Sequence, residues 1–244
     1  MKRALVVGGS NGIGLAIALC LSEEYDVTVI DKVAPEARWA DRFRFEQFDL
    51  TCEDYSLFDR HLDTDVLMIT AGFGHFELFD SIGEETIDTY FRVNTIGVMR
   101  IIKRFYSCLS SPDCFRCGVM SSIAGYMSSP FLSVYSATKA ALRIFIESVN
   151  VELERAGSPN CILCVAPGSI KGTHFNGGQH NDTEATMPLA RDIVGHLLSG
   201  DDLFIPQYDE VYAHVLERYH QDFRAEGRHS YDYKVERLRS QKQA

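Results

Sequence analysis

The chain has 244 residues, 45% hydrophobic and 24% charged, with a net charge of −10 at neutral pH. That size and balance suit one globular domain with a sizeable core and exclude a fibre or a disordered chain. The basic residues are scattered and outnumbered, so nothing offers an electrostatic footprint to nucleic acid or an anionic membrane. No apolar run approaches the roughly 18 residues of a membrane span. Ala4-Leu5-Val6-Val7 after Lys2-Arg3 is too short for a signal peptide, so a soluble, cytoplasmic protein is expected.

In chain order, Arg3 to Val7 predicts a strand that ends in Gly8-Gly9-Ser10-Asn11-Gly12-Ile13-Gly14, and helix-period apolar residues run from Ile13 through Leu21. Strand, glycine turn and helix make a dinucleotide-binding layout, in which glycines let backbone and pyrophosphate meet at a helix N-terminus. The next strand, Val27 to Ile30, ends at Asp31, seventeen residues beyond Gly14. A carboxylate there accepts from both ribose hydroxyls and repels a 2′-phosphate, which favours NAD over NADP. Lys32 beside it can soften that repulsion, and a solvated strand-end charge is the plain alternative for Asp31.

Phe43 to Phe48 predicts a third strand closing at Asp49-Leu50, Tyr55 to Leu62 a short helix, and Val66 to Ile69 a strand covered on both faces. That strand ends in Thr70-Ala71-Gly72. After a loop with Phe73, His75 and Phe76, helical periodicity runs from about Glu84 to Leu109 and contains Asn94. Gly118-Val119-Met120 is the next strand, followed by Ser122 and then a helix that extends to about Glu154, where Gly157-Ser158-Pro159 stops it.

Tyr135 and Lys139 stand four apart at the start of that helix, so their Cβ atoms lie roughly 5–6 Å apart on one face. A free phenol, with a pKa near 10, is a poor base at neutral pH. An ammonium about 4 Å away supplies on the order of 4 kcal/mol at an effective dielectric near 20, enough to draw the phenol down toward neutrality. The helix N-terminus acts in the same direction. Tyr135 is therefore expected to serve as a general acid or base. Composition alone yields about 0.3 Tyr-x-x-x-Lys pairs in this chain, so the pair needs the other motifs beside it.

Cys161 to Val165 predicts another strand, closing at Pro167-Gly168. Residues 169 to 188 are polar and glycine-bearing, without helix or strand period until Leu189, and are read as a substrate lid. Pro188 to Leu198 predicts a helix and Leu203-Phe204-Ile205 a last short strand. Alternating strands and helices predict a parallel sheet with helices on both faces. Residues 1–205 are thus one coenzyme-binding catalytic domain and residues 206–244 its helical extension. In that extension Tyr208, Tyr212, Val215, Tyr219 and Phe223 form an amphipathic stripe assigned to the core or a partner subunit, with a solvated or intersubunit end. Seven cysteines, an odd number, point to free thiols in a reducing compartment. Cys114-x-x-Cys117 and Cys161-x-x-Cys164 mimic a four-thiolate zinc pattern, but Cys161 and Cys164 lie on a predicted strand, where residues three apart face opposite ways, so ordinary core or surface thiols and no metal are expected.

Together these residues resemble the short-chain dehydrogenase/reductase family from Ala4 to about Ile205. The resemblance implies a Rossmann-like doubly wound sheet of about seven strands and hydride transfer between a nicotinamide coenzyme and a small alcohol or ketone. It assigns Gly8, Gly12 and Gly14 to the coenzyme turn with Ser10, Asn11 and Ile13, Asp31 to the ribose, and Asp49 and Leu50 to the adenine. Ala71 and Gly72 line the coenzyme, Pro167 and Gly168 lie beside the nicotinamide, and Ile170 meets its carboxamide. Asn94, Ser122, Tyr135 and Lys139 resemble the catalytic tetrad, Ser122 standing thirteen residues before Tyr135. Where the family usually has Thr before the first glycine, this chain has Val7, and where it usually has Asn-Asn-Ala-Gly, it has Ile69-Thr70-Ala71-Gly72. Both ends of one buried polar contact are expected to have been replaced together. The usual Thr after Pro-Gly comes one place late, as Thr173. Phe73, His75, Phe76, Tyr126, Met127, Phe131, His174 and Phe175 are expected pocket walls, and a homodimer or homotetramer is expected through the helices carrying Asn94 and Tyr135. The competing reading is a coenzyme-binding sensor or interaction protein without turnover, against which an intact tetrad argues.

Overall fold

Period-two alternation along the first strand sorts the core into two layers. In a computed structural model describing residues 1–173, 175 and 182–241, β1 (Arg3–Val7) sends Leu5 and Val7 to one face and Ala4 and Val6 to the other. Four of its five residues are buried, as a strand covered on both sides requires. It leads into α1 (Gly12–Leu21), β2 (Asp26–Asp31), β3 (Arg44–Gln47) and β4 (Val66–Ile69). Then come α2 (Glu84–Phe91), α3 (Val98–Arg104), the single turn α4 (Tyr106–Leu109), β5 (Arg116–Met120), α5 (Ser133–Arg155) and β6 (Ile162–Val165). The chain closes with α6 (Thr183–Ser199), β7 (Leu203–Phe204), α7 (Ala213–Gln221) and α8 (Phe223–Gln241).

The seven strands form one sheet in the order β3-β2-β1-β4-β5-β6-β7, every neighbouring pair parallel. On one face Leu5, Leu67, Ile69 and Val119 pack against Ile101 of α3 and Leu142 and Ile146 of α5. On the other, Val6, Val29 and Met68 meet Leu15 and Ile17 of α1 and Ile193 and Leu197 of α6. Each such side chain contributes about 1.5–3 kcal/mol by leaving water. The sheet order reverses between β1 and β4, so the crevice outside their C-terminal ends is where an open sheet of this kind takes its ligand.

Several boundaries differ from the sequence reading. The long helix expected from Glu84 to Leu109 is broken by a π-helical turn, Arg92–Gly97, and again at Phe105, whose backbone leaves the helical region (φ −86, ψ 7). The helix expected at Tyr55 to Leu62 is a 3-10 segment, Ser56–His61. Within the segment read as a lid, α6 already begins at Thr183, because the Asp182 carboxylate caps it by accepting from the Ala185 N–H at 3.0 Å. Pro188 sits inside that helix and removes one backbone bond. The lid's centre, residues 176–181, and His174 lie outside the described residues.

The tail's stripe spans a π-helical turn, Tyr208–Tyr212, and α7; after a break at Asp222, α8 brings Lys234 and Arg237 to a cavity while much of its length stays exposed. Tyr212 and Val215 face that cavity, whereas Tyr208 and Phe223 stay exposed, so the stripe is not a core element. No helix among the described residues is long and apolar enough to cross a membrane. All seven cysteines are free thiols. Cys164 is buried in β6, while Cys161 precedes the strand and meets the Gly200 carbonyl at 3.3 Å.

Candidate active site

A cavity of about 1050 Å³ opens at the C-terminal ends of the strands. Its floor begins with the turn after β1. Gly8 has φ 87 and Gly12 φ 52, the left-handed region where a side chain is strained. A Cβ on Gly14 would lie 2.1 Å from the Gly8 carbonyl oxygen, so that position admits only glycine. Asn11 takes the N-cap position of α1, whose first turn carries no acidic residue, leaving its N–H groups and dipole favourable to phosphate. Ser10 lies behind the cavity wall, fully buried, with an Oγ that has no hydrogen-bond partner among the described residues. A dinucleotide's pyrophosphate fits this cradle.

The turn is tied to β4 by Thr70, whose hydroxyl reaches the Val7 carbonyl at 3.1 Å and the Gly8 carbonyl at 3.0 Å. The polar contact at this junction is therefore rebuilt against the backbone, and Thr70 is not left as an unpaired buried group. Asp31, at the end of β2, accepts from the Ser10 N–H at 3.0 Å. The Lys32 ammonium points elsewhere, pairing with Asp49 at 2.9 Å. Burial works against the Asp49 carboxylate, but the Thr51 N–H, Lys32 and the Thr51 hydroxyl outweigh it and hold its pKa below the usual value. Asp49 and Leu50 line the cavity with Ile13, Ala71 and Gly72.

At the opposite end the cavity meets α5. Tyr135 is the third residue of that helix and Lys139 follows one turn later, so backbone geometry alone stacks them. Tyr135 is 8% exposed and Lys139 2%. The ammonium donates to the Met120 carbonyl at 2.8 Å and lies 5.8 Å from the centre of the Tyr135 ring. Burial pulls the Lys139 pKa down to about 8, with the Cys164 thiol acting weakly the other way. Burial likewise pushes the Tyr135 phenol up to about 12; the Ser122 hydroxyl bonds to it and opposes the rise, while Tyr90 adds to it. The expected acidification of the phenol by its lysine is thus overridden by desolvation. Ser122 caps a 3-10 turn, accepting from the Ala124 N–H at 3.1 Å and donating to the Pro167 carbonyl at 3.4 Å. That places its hydroxyl between β5 and β6 beside the phenol.

Asn94 is fully buried behind the cavity wall, in the π-helical turn. Its Oδ1 accepts from the Phe73 N–H at 3.0 Å, and its Nδ2 donates to the Phe73 carbonyl at 2.9 Å and to Thr138 Oγ1 at 3.3 Å. The side chain is therefore occupied in pinning the loop after β4. Pro167, Gly168 and Ile170 line the cavity. Thr173 turns its hydroxyl back to the Ile170 carbonyl at 3.1 Å, so the late threonine is spent within its own loop.

Of the expected pocket walls, Phe73, His75, Phe76, Met127 and Phe175 line the cavity. Tyr126 and Phe131 do not: Tyr126 is turned toward Cys164, and Phe131, held at φ 66, stacks on Tyr231 of α8 at 4.9 Å. Residues that the sequence did not assign to the site complete the cavity. The Tyr212 hydroxyl reaches so close to Gly168 that a Cβ there would lie 1.7 Å from it. Lys234 and Arg237 close the cavity from α8. Only the i, i+3 spacing of the two cations could have marked them, and that spacing is ordinary on a solvated helix.

Comparison with known proteins agrees with this layout. The family model for short chain dehydrogenase matches residues 2–184. The chain is 26% identical over 199 residues to the probable short-chain type dehydrogenase/reductase VdlC of Helicobacter pylori, covering 78% of this chain and 73% of that protein. It is 27% identical over 185 residues to the uncharacterized oxidoreductase TDA5 of Saccharomyces cerevisiae, covering 71% of this chain but only 56% of the yeast protein. A short-chain dehydrogenase from Sphingobium yanoikuyae, solved in complex with NADPH, shares the fold with a TM-score of 0.73 at 21% identity, covering 92% of this chain and 95% of that one. The chain belongs to the short chain dehydrogenase family and is an NAD(P)-dependent oxidoreductase.

Proposed function

We propose that the cleft moves a hydride between a nicotinamide coenzyme and a small alcohol or ketone, with Tyr135 as the acid and base. The observation that carries this reading is the convergence of three groups at one buried spot: the Tyr135 phenol, the Ser122 hydroxyl bonded to it, and a Lys139 ammonium whose hydrogen bond goes to a neutral carbonyl. The coenzyme supplies or accepts the hydride. Tyr135 gives its proton to a carbonyl oxygen in reduction, or takes the hydroxyl proton in oxidation. Ser122 donates to the same oxygen and holds it in place. Lys139 stays charged beneath the ring, where it favours the phenolate and offers its other protons to the coenzyme ribose. Asn94 fixes the Phe73 loop over the site and, with the freed carbonyls of its π-helical turn, positions a water that carries the proton outward.

Asp31 supports NAD as the coenzyme, since its carboxylate faces the ribose end and the neighbouring cation is diverted to Asp49. The Sphingobium yanoikuyae enzyme was solved with NADPH, so NADP is the competitor against which this preference is measured. An odd number of free thiols supports a reducing, cytoplasmic setting. The exposed apolar side chains on α5 support assembly into a homodimer or homotetramer.

Replacing Tyr135 by Phe tests the reading. Hydride transfer, followed by coenzyme absorbance over a panel of alcohols and ketones, is expected to fall by roughly 10²–10⁴-fold. Coenzyme binding, followed by calorimetry, is expected to persist. Retained turnover refutes the assignment, and tight coenzyme binding by the parent protein with no turnover of any compound favours a sensor.

A further inference from the structure

α8 places two cations in the cavity, and among the described residues neither is paired with a carboxylate. Lys234, half-buried, donates to Ser129 Oγ at 2.6 Å and to the Pro130 carbonyl at 2.9 Å. Arg237 donates to Ser169 Oγ at 3.3 Å and lies with its guanidinium 5.9 Å from the centre of the Phe76 ring. Every one of those partners is neutral. Many of the chain's other arginines pair with acids, among them Arg44 with Asp26, Arg60 with Glu46 and Arg104 with Asp59. In a protein whose acidic residues exceed its basic ones by 10, two enclosed cations without an acid are a departure from the surface pattern. Among the described residues the carboxylate lining that part of the cavity, Glu226, is already held by two nitrogens of Arg218 at 2.8 and 3.1 Å.

The cations stand close to the reacting end. Ser129 and Pro130 lie in the loop that enters α5 just before Tyr135, and Ser169 follows Gly168 after β6. Phe76, under Arg237, packs in the same aromatic cluster as Tyr135, Phe73 and Phe175. One apolar wall thus runs from the phenol to the two cations. We propose that Lys234 and Arg237 bind an anionic oxyacid group on the substrate, a carboxylate or a phosphate ester, so that the cleft acts on oxo or hydroxy acids of that kind. The inference deepens the hydride-transfer reading and rests on it for the chemistry. The carbonyl carbon gains the hydride, its oxygen gains the Tyr135 proton, the coenzyme is oxidised, and the acid group stays unchanged as a handle. Burial holds the Lys234 pKa down at about 8, as an ammonium short of anions would be. An anion seated beside it offsets that desolvation and favours the ammonium. Arginine over an aromatic face and lysine from the same helix suit a planar or tetrahedral oxyanion.

The test compares matched compounds in the reductive direction with NADH and NADPH: levulinate and benzoylformate against their methyl esters, and dihydroxyacetone phosphate against dihydroxyacetone. At least one acid is expected to exceed its neutral twin in kcat/KM by roughly tenfold or more, as charge-assisted hydrogen bonds do. That ratio is expected to collapse toward unity in Lys234→Gln/Arg237→Gln and to return in part in Lys234→Arg; melting followed by circular dichroism checks that α8 remains folded. The carboxylate and phosphate arms tell which oxyacid is taken. Equal kcat/KM for all twins, or a ratio that survives the double substitution, overturns the proposal. If nothing is turned over, the hydride-transfer reading fails, and calorimetric titration of the coenzyme-loaded protein with the same acids decides the anion site. Binding that the double substitution removes supports the site, and no binding to the parent protein overturns it.

Discussion

At the scale of single residues, two opposed effects meet on the pair Tyr135 and Lys139. Coulomb attraction at the spacing of a helical turn favours the phenolate, but the structure encloses both groups and the cost of desolvating charge dominates. The pairing was legible in the sequence, because four residues on a helix fix who stands over whom. Its electrostatics were not, because burial depends on residues distant in the chain. The lysine carries a consequence for stability. Its folded pKa of about 8 lies below the ordinary 10.5, so below pH 8 both states hold the proton and the folded state bears the full cost of a buried ammonium. Between about 8 and 10.5 the unfolded chain holds more protons than the folded one, so stability rises with pH and that cost disappears. Lys139→Met is therefore expected to lose activity yet gain up to a few kcal/mol at pH 7, the gain shrinking toward pH 10.5. Urea unfolding of both proteins at the two ends of that range checks the sign, and a variant less stable at pH 7 contradicts it. Asp31 gives a second expectation. Asp31→Ser is expected to lower the ratio of kcat/KM for NAD over NADP by about tenfold or more, since like charges set together cost several kcal/mol. An unchanged ratio sinks the ribose assignment.

At the scale of elements, strands were read from the chain to within a residue or two, because continuous apolar runs bounded by polar ends have few other uses. The helices carrying function were less legible. Apolar periodicity runs smoothly across Arg92 to Gly97, although one turn there widens to the π form and places Asn94 against the Phe73 backbone. An extra residue in one turn leaves the hydrophobic pattern nearly intact, so the pattern cannot report it. Removing that side chain leaves the Phe73 N–H and carbonyl without partners. Asn94→Ala is therefore expected to cost about 1–3 kcal/mol in urea unfolding and to lower kcat together with it. Unaltered stability would show that the loop after β4 is held by something else. The start of α6 escaped notice for a different reason: Asp182 is a good cap, but the apolar positions behind it begin only later. In the tail, an amphipathic stripe shows which side of a helix is apolar and not what lies opposite, so a helix lining a cavity and one lining a core read alike.

At the scale of the molecule, the parallel sheet followed from the alternation of strands and helices, since parallel neighbours need a crossover between them. The reversal of strand order at β1 and β4 then puts the ligand crevice where the glycine turn lies. The proposed assembly draws on the outer face of α5. Ile144 and Val151, seven apart on one stripe, are 51% and 58% exposed. Sedimentation is expected to show two or four chains per particle, and Ile144→Lys/Val151→Lys to reduce that number. A parent protein sedimenting as a single chain refutes this.

Gln207 bends the chain through a left-handed residue (φ 59) after β7, and the two helices beyond it, α7 and α8, meet the crevice from above without supplying a strand to the sheet. On the proposed reading, changes in those two helices alter which molecules are admitted, since Tyr212, Lys234 and Arg237 line the cavity while Tyr135 and Lys139 stand on α5. Such a chain can acquire new diets by drift at its end, keeping its inherited chemistry untouched.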